Sequence, residues 1–268
     1  AIVAHSSLRR AKELFPNAEL YFLIFHNLQD SVHILNIIPP KNVWTLRNTS
    51  FPLFMLDTLK LLVKCRMARI DTIIDLEFFS RYTAIIGYLS GARRRVGFHR
   101  FHTEGLYRGK LFTHRVAFNR YVHTAQAYLP LVDVLLEKKE DAPFLKSPVE
   151  SLTSIIQRHP KITSTSDEKK KIWEKLKICN PKVKESNTLV IINPNSSDLA
   201  PLRRWPLLSY ALLIKKLLHD ARVVIIITGV SSESKYADQI CSIVQNSRCI
   251  NFTGKTTLRE LIDLYNIG

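Results

Sequence analysis

This chain of 268 residues is short of cysteine, glycine and acidic side chains, and each shortage excludes something. Cys65, Cys179, Cys241 and Cys249 form no Cys-x-x-Cys pair, so neither a zinc scaffold nor a disulfide framework is indicated, and they read as reduced thiols of a cytosolic protein. No apolar run approaches the roughly 20 residues a membrane-spanning helix needs. The apolar pieces are strand-sized, such as Val223–Ile227. Low-complexity segments are absent and 46% of residues are hydrophobic, which excludes a disordered chain. The first residues, Ala1-Ile2-Val3, are already apolar and lack the charged-then-apolar layout of a signal peptide, so the expectation is a chain that starts inside an element. Only 23 Asp and Glu face 39 Lys and Arg, leaving a net charge of +16. Such an excess points to an anionic partner: nucleic acid, a membrane surface or a phosphorylated substrate.

What is present alternates between strand and helix. Ser6–Phe15 reads as helix, Glu19–Phe25 and Asn42–Leu46 as strands, and Phe51–Arg69 as a long helix. Ile70–Leu76 returns to strand and Arg81–Leu89 to helix, and Tyr121–Leu136 closes the first half as a helix. Glu137–Asn187 is polar and carries one amphipathic helix near Asp167–Ile178. The β-branched runs Thr188–Asn193 and Arg222–Thr228 then suit buried parallel strands, followed by a strand at Cys249–Phe252 and a helix at Thr257–Leu264 with a Thr257/Glu260 capping box. The expectation is an α/β protein with parallel sheets covered on both faces. Its domains are residues 1–140, a helix-bearing linker at 141–187, and residues 188–268.

Five segments carry candidate chemistry. Asn193-Pro194-Asn195-Ser196-Ser197 follows a buried strand, and Arg203-Arg204-Trp205-Pro206 opens the next helix. Small polar residues there admit close backbone approach, and either arginine offers bidentate hydrogen bonds to a diphosphate. Thr228-Gly229-Val230-Ser231-Ser232-Glu233 also ends a strand, and Glu233 either accepts ribose hydroxyls or offsets a helix dipole. Thr253-Gly254-Lys255-Thr256-Thr257 invites a Walker-loop reading, but Cys249 stands where that loop needs glycine, which excludes it. Lys255 and Thr256 remain candidates for a phosphate or base. Gly91–Arg120 holds eight Lys or Arg against Glu104 alone, among them Arg94, Arg100 and Arg108, interleaved with Phe98, Phe101, Tyr107 and Phe112. That mixture suits single-stranded nucleic acid, an anionic saccharide, or a solvated loop. Asp75 and Glu77 end an apolar strand, where a carboxylate serves as a base, as an acceptor for sugar hydroxyls, or as a helix cap. Finally, Phe51–Cys65 is very apolar yet carries Lys60 and Lys64, so it reads as a core helix or as one resting on a membrane.

In order along the chain, these residues resemble glycosyltransferase family 9, the heptosyltransferases of the lipopolysaccharide core that use ADP-heptose. Ser7-Leu8-Arg9-Arg10 with Phe15-Pro16-Asn17-Ala18-Glu19, Ile74-Asp75-Leu76-Glu77 and Arg95-Val96-Gly97-Phe98 are similar to its N-terminal motifs. Asn193–Ser197, Arg203-Arg204-Trp205-Pro206, Thr228-Gly229 with Glu233, and Phe252–Leu258 are similar to its C-terminal ones. The resemblance implies a GT-B-like pair of Rossmann-like domains facing a cleft, the acceptor in the first and the nucleotide-sugar donor in the second. It implies an inverting, metal-independent transfer without a cofactor, in which a carboxylate deprotonates the acceptor hydroxyl as the diphosphate leaves. Donor contacts then fall on Asn195, Ser196, Ser197, Arg203, Glu233, Lys255 and Thr256, and acceptor contacts on Glu77, Arg94, Arg100 and Arg108. The family's Gly-Asp pair with the catalytic base would precede Ala1, and its Asp-Ser-Gly-Pro loop would follow Gly268, so the expectation is a fragment, inactive by itself. The expected partners are a nucleotide sugar and an anionic lipid-linked glycan, with no specific nucleic acid, at a cytoplasmic site peripheral to the inner membrane face. The alternatives are another GT-B transferase with a different donor, or a non-catalytic anion- or nucleic-acid-binding protein.

Overall fold

The computed structural model describes residues 2–78, 80–99, 108, 110–137, 162–196 and 201–268, the side chain of residue 201 excepted. Two compact units divide it, Ala1–Pro160 and Lys161–Gly268.

The first unit runs α1 (His5–Leu14), β1 (Phe22–Phe25), the short α2 (Asp30–His33), β2 (Val43–Leu46), α3 (Phe51–Met67), β3 (Thr72–Ile74), α4 (Arg81–Leu89), β4 (Arg94–Phe98), β5 (His114–Val116) and α5 (Thr124–Asp133). Strand β1 pairs in parallel with β2, and β3, β4 and β5 form a second parallel sheet in that order. Helix α1 lies against α5, tied by an Arg10–Asp133 ion pair at 2.9 Å.

Several boundaries fall inside the expected ones, for local reasons. Asn42 Nδ2 donates to Glu19 Oε1 and to the Leu20 carbonyl, both at 3.1 Å, so a side chain rather than a ladder holds the backbone ahead of Phe22. The Ile70 amide bonds the Cys65 carbonyl at 2.9 Å and closes α3, which delays β3 to Thr72. His123 caps α5 through its Nδ1, with Gln126 reaching back to the His123 amide, so that helix starts at Thr124. By contrast Arg81–Leu89 is the helix the sequence predicts, with Ser80 accepting from the Thr83 amide.

The basic stretch Gly91–Arg120 contains two strands that its charge pattern hid. Val96 and Phe98 of β4 and Val116 of β5 are buried in the core with Leu131 of α5. Gly97 is required here. A Cβ on it would lie 2.5 Å from the Phe112 ring, which rests directly on the backbone.

The second unit runs α6 (Ser166–Cys179), β6 (Thr188–Ile192), α7 (Leu207–Leu217), β7 (Val223–Ile227), α8 (Ser234–Val244), β8 (Cys249–Asn251) and α9 (Leu258–Tyr265). Its strands are all parallel in the order β6-β7-β8. All five residues of the central β7 are buried, as expected of a β-branched run covered on both faces. Ala211 and Ile214 of α7 and Ala237 and Ile240 of α8 cover one face, and Ile172, Trp173 and Leu176 of α6 with Leu264 of α9 cover the other.

Helix α6 lies within the stretch the sequence suggested as a linker, but it belongs to this second unit. Its apolar side buries Trp173 against the sheet, and its polar side pairs with α9 through Lys175–Glu260 at 2.6 Å and Glu168–Arg259 at 2.9 Å. The capping boxes Thr165/Glu168 and Thr257/Glu260 start α6 and α9.

Candidate functional site

In the second unit three loops meet at the carboxyl ends of β6, β7 and β8, where open parallel sheets bind ligands. They are stitched together around Gly229. Asn195 Nδ2 donates to the Thr228 carbonyl at 3.2 Å, and the Gly254 amide donates to the Gly229 carbonyl at 2.8 Å. A Cβ at Gly229 would lie 2.4 Å from Asn195 Nδ2, 2.6 Å from Glu233 Oε2 and 3.2 Å from Thr253 Cγ2. The missing side chain thus lets an amide and a carboxylate from two different loops converge on one point.

Around that point stand four buried polar atoms with no hydrogen-bond partner among the described residues: Asn195 Oδ1, Ser196 Oγ, Thr228 Oγ1 and Arg204 Nε. Buried polar atoms are nearly always paired in folded proteins, so four at one sheet end make this the candidate place for a polar ligand. Three of the four suit a phosphate, two hydroxyls and a guanidinium N–H that donate, whereas the Asn195 amide oxygen accepts and suits a hydroxyl. Arg204 is held in place on two sides. Its Nη2 donates to the Ser196 carbonyl at 3.2 Å, its guanidinium lies 4.6 Å from the Tyr236 ring centre, and Tyr236 in turn donates to the Trp205 carbonyl at 3.1 Å. Burial pushes the Tyr236 phenol up, with the Arg204 charge pulling the other way.

The residues expected on the donor side therefore divide. Asn195 and Ser196 line this point, and Ser197 lies outside the described residues. Glu233 reaches it with a carboxylate that also caps its own turn, accepting from the Val230 amide at 2.8 Å. Arg203 is exposed, and of the two arginines it is Arg204 that is half-buried beside Ser196. Lys255 donates instead to Cys179 Sγ at 3.3 Å, at the carboxyl end of α6, where the helix dipole favours a cation. Thr256 is half-buried and makes no hydrogen bond with the described residues. Thr228 is the addition that its strand-end position could have signalled, and Arg204 is one of the two arginines the sequence offers.

The first unit corrects more. Arg108, expected to meet an acceptor, has only 2% of its side chain exposed. It bonds Asp75 Oδ2, the Glu77 carbonyl at 2.5 Å, the Ser80 carbonyl at 3.0 Å and Thr83 Oγ1 at 3.0 Å, and its guanidinium lies 4.8 Å from the Phe112 ring centre. It is a clamp on the turn after β3. Asp75, its partner, is buried with it rather than open to a ligand: burial pushes the carboxyl above its ordinary value while Arg108, Thr83 and the Glu77 amide oppose that. Arg94 opens β4, so it sits at the amino end of the strand, about 13 Å along the chain from Phe98 at 3.3 Å per residue. That is the wrong end of a parallel sheet for an acceptor. Arg95 is engaged by the Leu111 and Ala92 carbonyls at 2.8 and 2.6 Å, and Arg100 lies outside the described residues.

Glu77 is exposed, just past the carboxyl end of β3. Behind it Phe78 stacks on Phe98 and Tyr128, with ring centres 5.2 and 5.6 Å apart. Burial, with the Glu77 and Asp75 charges adding, raises the Tyr128 phenol.

A family model described as glycosyltransferase family 9 (heptosyltransferase) matches residues 59–266. The E. coli ADP-heptose lps heptosyltransferase II structure superposes with a TM-score of 0.70 at 16% identity, covering 98% of this chain and 72% of that one. A family 9 glycosyl transferase from Veillonella parvula gives 0.70 at 15% identity, covering 99% and 69%. E. coli heptosyltransferase WaaC with ADP gives 0.55 at 12% identity, covering 90% and 68%. These likenesses identify the fold as that of GT-B-like heptosyltransferases. No curated protein matches the sequence.

Proposed function

The chain belongs to glycosyltransferase family 9 by the match over residues 59–266, and from that premise we propose that it moves heptose from a nucleotide diphosphate donor to a lipopolysaccharide-core-like glycan. The observation that carries the donor half is the group of unpartnered polar atoms on Asn195, Ser196, Thr228 and Arg204 around Gly229. Arg204 and the two hydroxyls meet the diphosphate, and they stabilise the charge that grows on it as the glycosidic bond breaks, which lets the transfer run without a metal ion. Glu233 accepts from the ribose hydroxyls. Arg203 and Thr256, on the loops after β6 and β8, are left for outer donor contacts, while Lys255 serves α6 through Cys179. Glu77 accepts hydrogen bonds from acceptor hydroxyls, and Arg100 meets an anionic group of the acceptor. The transfer inverts the anomeric centre, an acceptor hydroxyl attacking as the nucleoside diphosphate leaves. An acceptor of this kind is lipid-linked, so the chain works as a peripheral protein at the inner membrane face.

A thermal-shift series with ADP-, UDP- and GDP-sugars, followed by a transfer assay with the preferred donor, tests this reading. ADP-heptose should raise the melting temperature most and be consumed when a core glycan is present. A preference for a UDP- or GDP-sugar would replace the donor, and no shift with any of the three would remove the reading.

A further inference from the structure

Helix α3 (Phe51–Met67) presents two faces. Thr58, Leu61 and Cys65 are buried, with Phe54 and Leu62 packed beside them against Leu46 and Ile86. The outer face is apolar as well: Phe51, Met55, Leu59, Val63 and Met67 recur every four residues, and Phe51, Leu59, Val63 and Met67 are 75, 58, 58 and 79% exposed. This row is about 24 Å long at 1.5 Å per residue, and Leu56 lies beside it. Arg66 Nη2 donates to the Leu89 carbonyl at 3.3 Å, carrying the surface on to the exposed Ile85 and Leu89 of α4. A soluble helix ordinarily turns polar residues outward. This one does not.

The charges at the rim select what covers it. Lys60, Lys64 and Arg66 are exposed along the row. Asp57 is the one acidic residue of α3, and Arg47 neutralises it through contacts of 2.7 and 2.8 Å, which hold its carboxyl well below the ordinary range. Lys64 stands 5.9 Å from the ring centre of Trp44. The face is therefore apolar in the middle and cationic at the edge, as in helices that lie in a bilayer interface with their lysines among anionic headgroups. A second copy fits poorly. An isologous contact would bring this rim of one charge sign, Lys60, Lys64 and Arg66, against the same rim of the other copy. Among the described residues no helix is long and apolar enough to cross a membrane, so the contact is one of surface attachment.

We infer that α3 is the element by which this protein lies on an anionic lipid surface, inserting Leu59, Val63 and their row neighbours between acyl chains while Lys60, Lys64 and Arg66 meet headgroups. The inference rests on the reading of the chain as a peripheral membrane protein and assigns the surface that makes the contact.

Co-sedimentation of the full chain with vesicles of phosphatidylglycerol and phosphatidylcholine, and with phosphatidylcholine alone, tests it. The protein should partition to the mixed vesicles and much less to the neutral ones. Lys60→Gln with Lys64→Gln should lower partitioning roughly 25-fold, at about fivefold per lysine. Leu59→Glu with Val63→Glu, both at exposed positions, should abolish it without changing the melting temperature, and Leu59→Trp should show a blue-shifted emission on binding. Vesicle binding that survives both double substitutions would overturn the assignment to α3 and leave the peripheral reading standing. No binding of the unsubstituted chain at low salt would overturn both. Concentration-dependent dimerisation lost in Leu59→Glu with Val63→Glu, without vesicle binding, would assign the face to a second copy and overturn the proposal.

Discussion

At the level of single residues, two close contacts decide which charges serve the fold and which remain for a ligand. Arg108 and Asp75 form a buried pair, and removing one member leaves the other charge without compensation. Arg108→Ala should cost about 3–5 kcal/mol near neutral pH. The sign of its pH dependence follows from burial. The folded-state pKa of Asp75 lies above its ordinary 3.8, so the folded chain holds that proton more tightly and stability falls as pH rises from the ordinary value through the folded one. Without Arg108 the effect grows, so the variant's deficit, measured by urea unfolding, should shrink as pH is lowered from 7 toward 4. A deficit independent of pH would mean that Asp75 is not the group left unpaired. Gly229 is the second contact. Gly229→Ala drives a methyl into the Asn195 amide and the Glu233 carboxylate, so it should weaken nucleotide binding by more than about tenfold while costing about 1–3 kcal/mol as a local overpacking. Unchanged binding in a titration would separate that point from the donor site. The sequence made Asn195, Ser196, Glu233 and Glu77 readable because each follows a strand end. It could not rank Arg203 against Arg204, since adjacent residues of a tight turn face different ways. Nor could it tell that Arg108 folds back under the turn after β3, a contact between residues 33 apart.

Among the elements, helices with caps were legible and short strands rich in charge were not. The Thr257/Glu260 box and the Ser80-to-Leu89 segment carry their start signals in adjacent residues. Strand β4, with the sequence Arg-Arg-Val-Gly-Phe, has only two apolar side chains and buries part of Arg95 by bonding carbonyls, so charge masked it. Helix α6 was readable as amphipathic, but its sheet lies beyond it in sequence and only the packing of Trp173 assigns it to the second unit. Helix α8 ends on Gln245 in the left-handed region, φ 52° and ψ 41°, with its amide on the Cys241 carbonyl. A residue with a Cβ is strained there by about 1–2 kcal/mol. Gln245→Gly relieves that at an exposed site, and chemical denaturation should show a gain of about 1 kcal/mol; a loss would mean that the Gln245 side chain contributes more than its backbone costs.

Taken as a whole, the molecule resolves the excess of +16 into parts with separate tasks. Arg95 and Arg108 hold strands and turns together, Lys60, Lys64 and Arg66 edge an apolar helix face, and Arg204 stands at a sheet end beside unpaired hydroxyls. On the proposed function this sheet end receives the diphosphate of a nucleotide sugar through Arg204. Calorimetric titration of ADP into the unsubstituted protein, Arg204→Ala and Arg203→Ala tests it most directly. One charge-assisted contact is worth about 1.5–3 kcal/mol, so Arg204→Ala should lose roughly 10- to 100-fold in affinity and Arg203→Ala less than about threefold. Equal affinities for all three proteins, or a loss confined to Arg203→Ala, would contradict it.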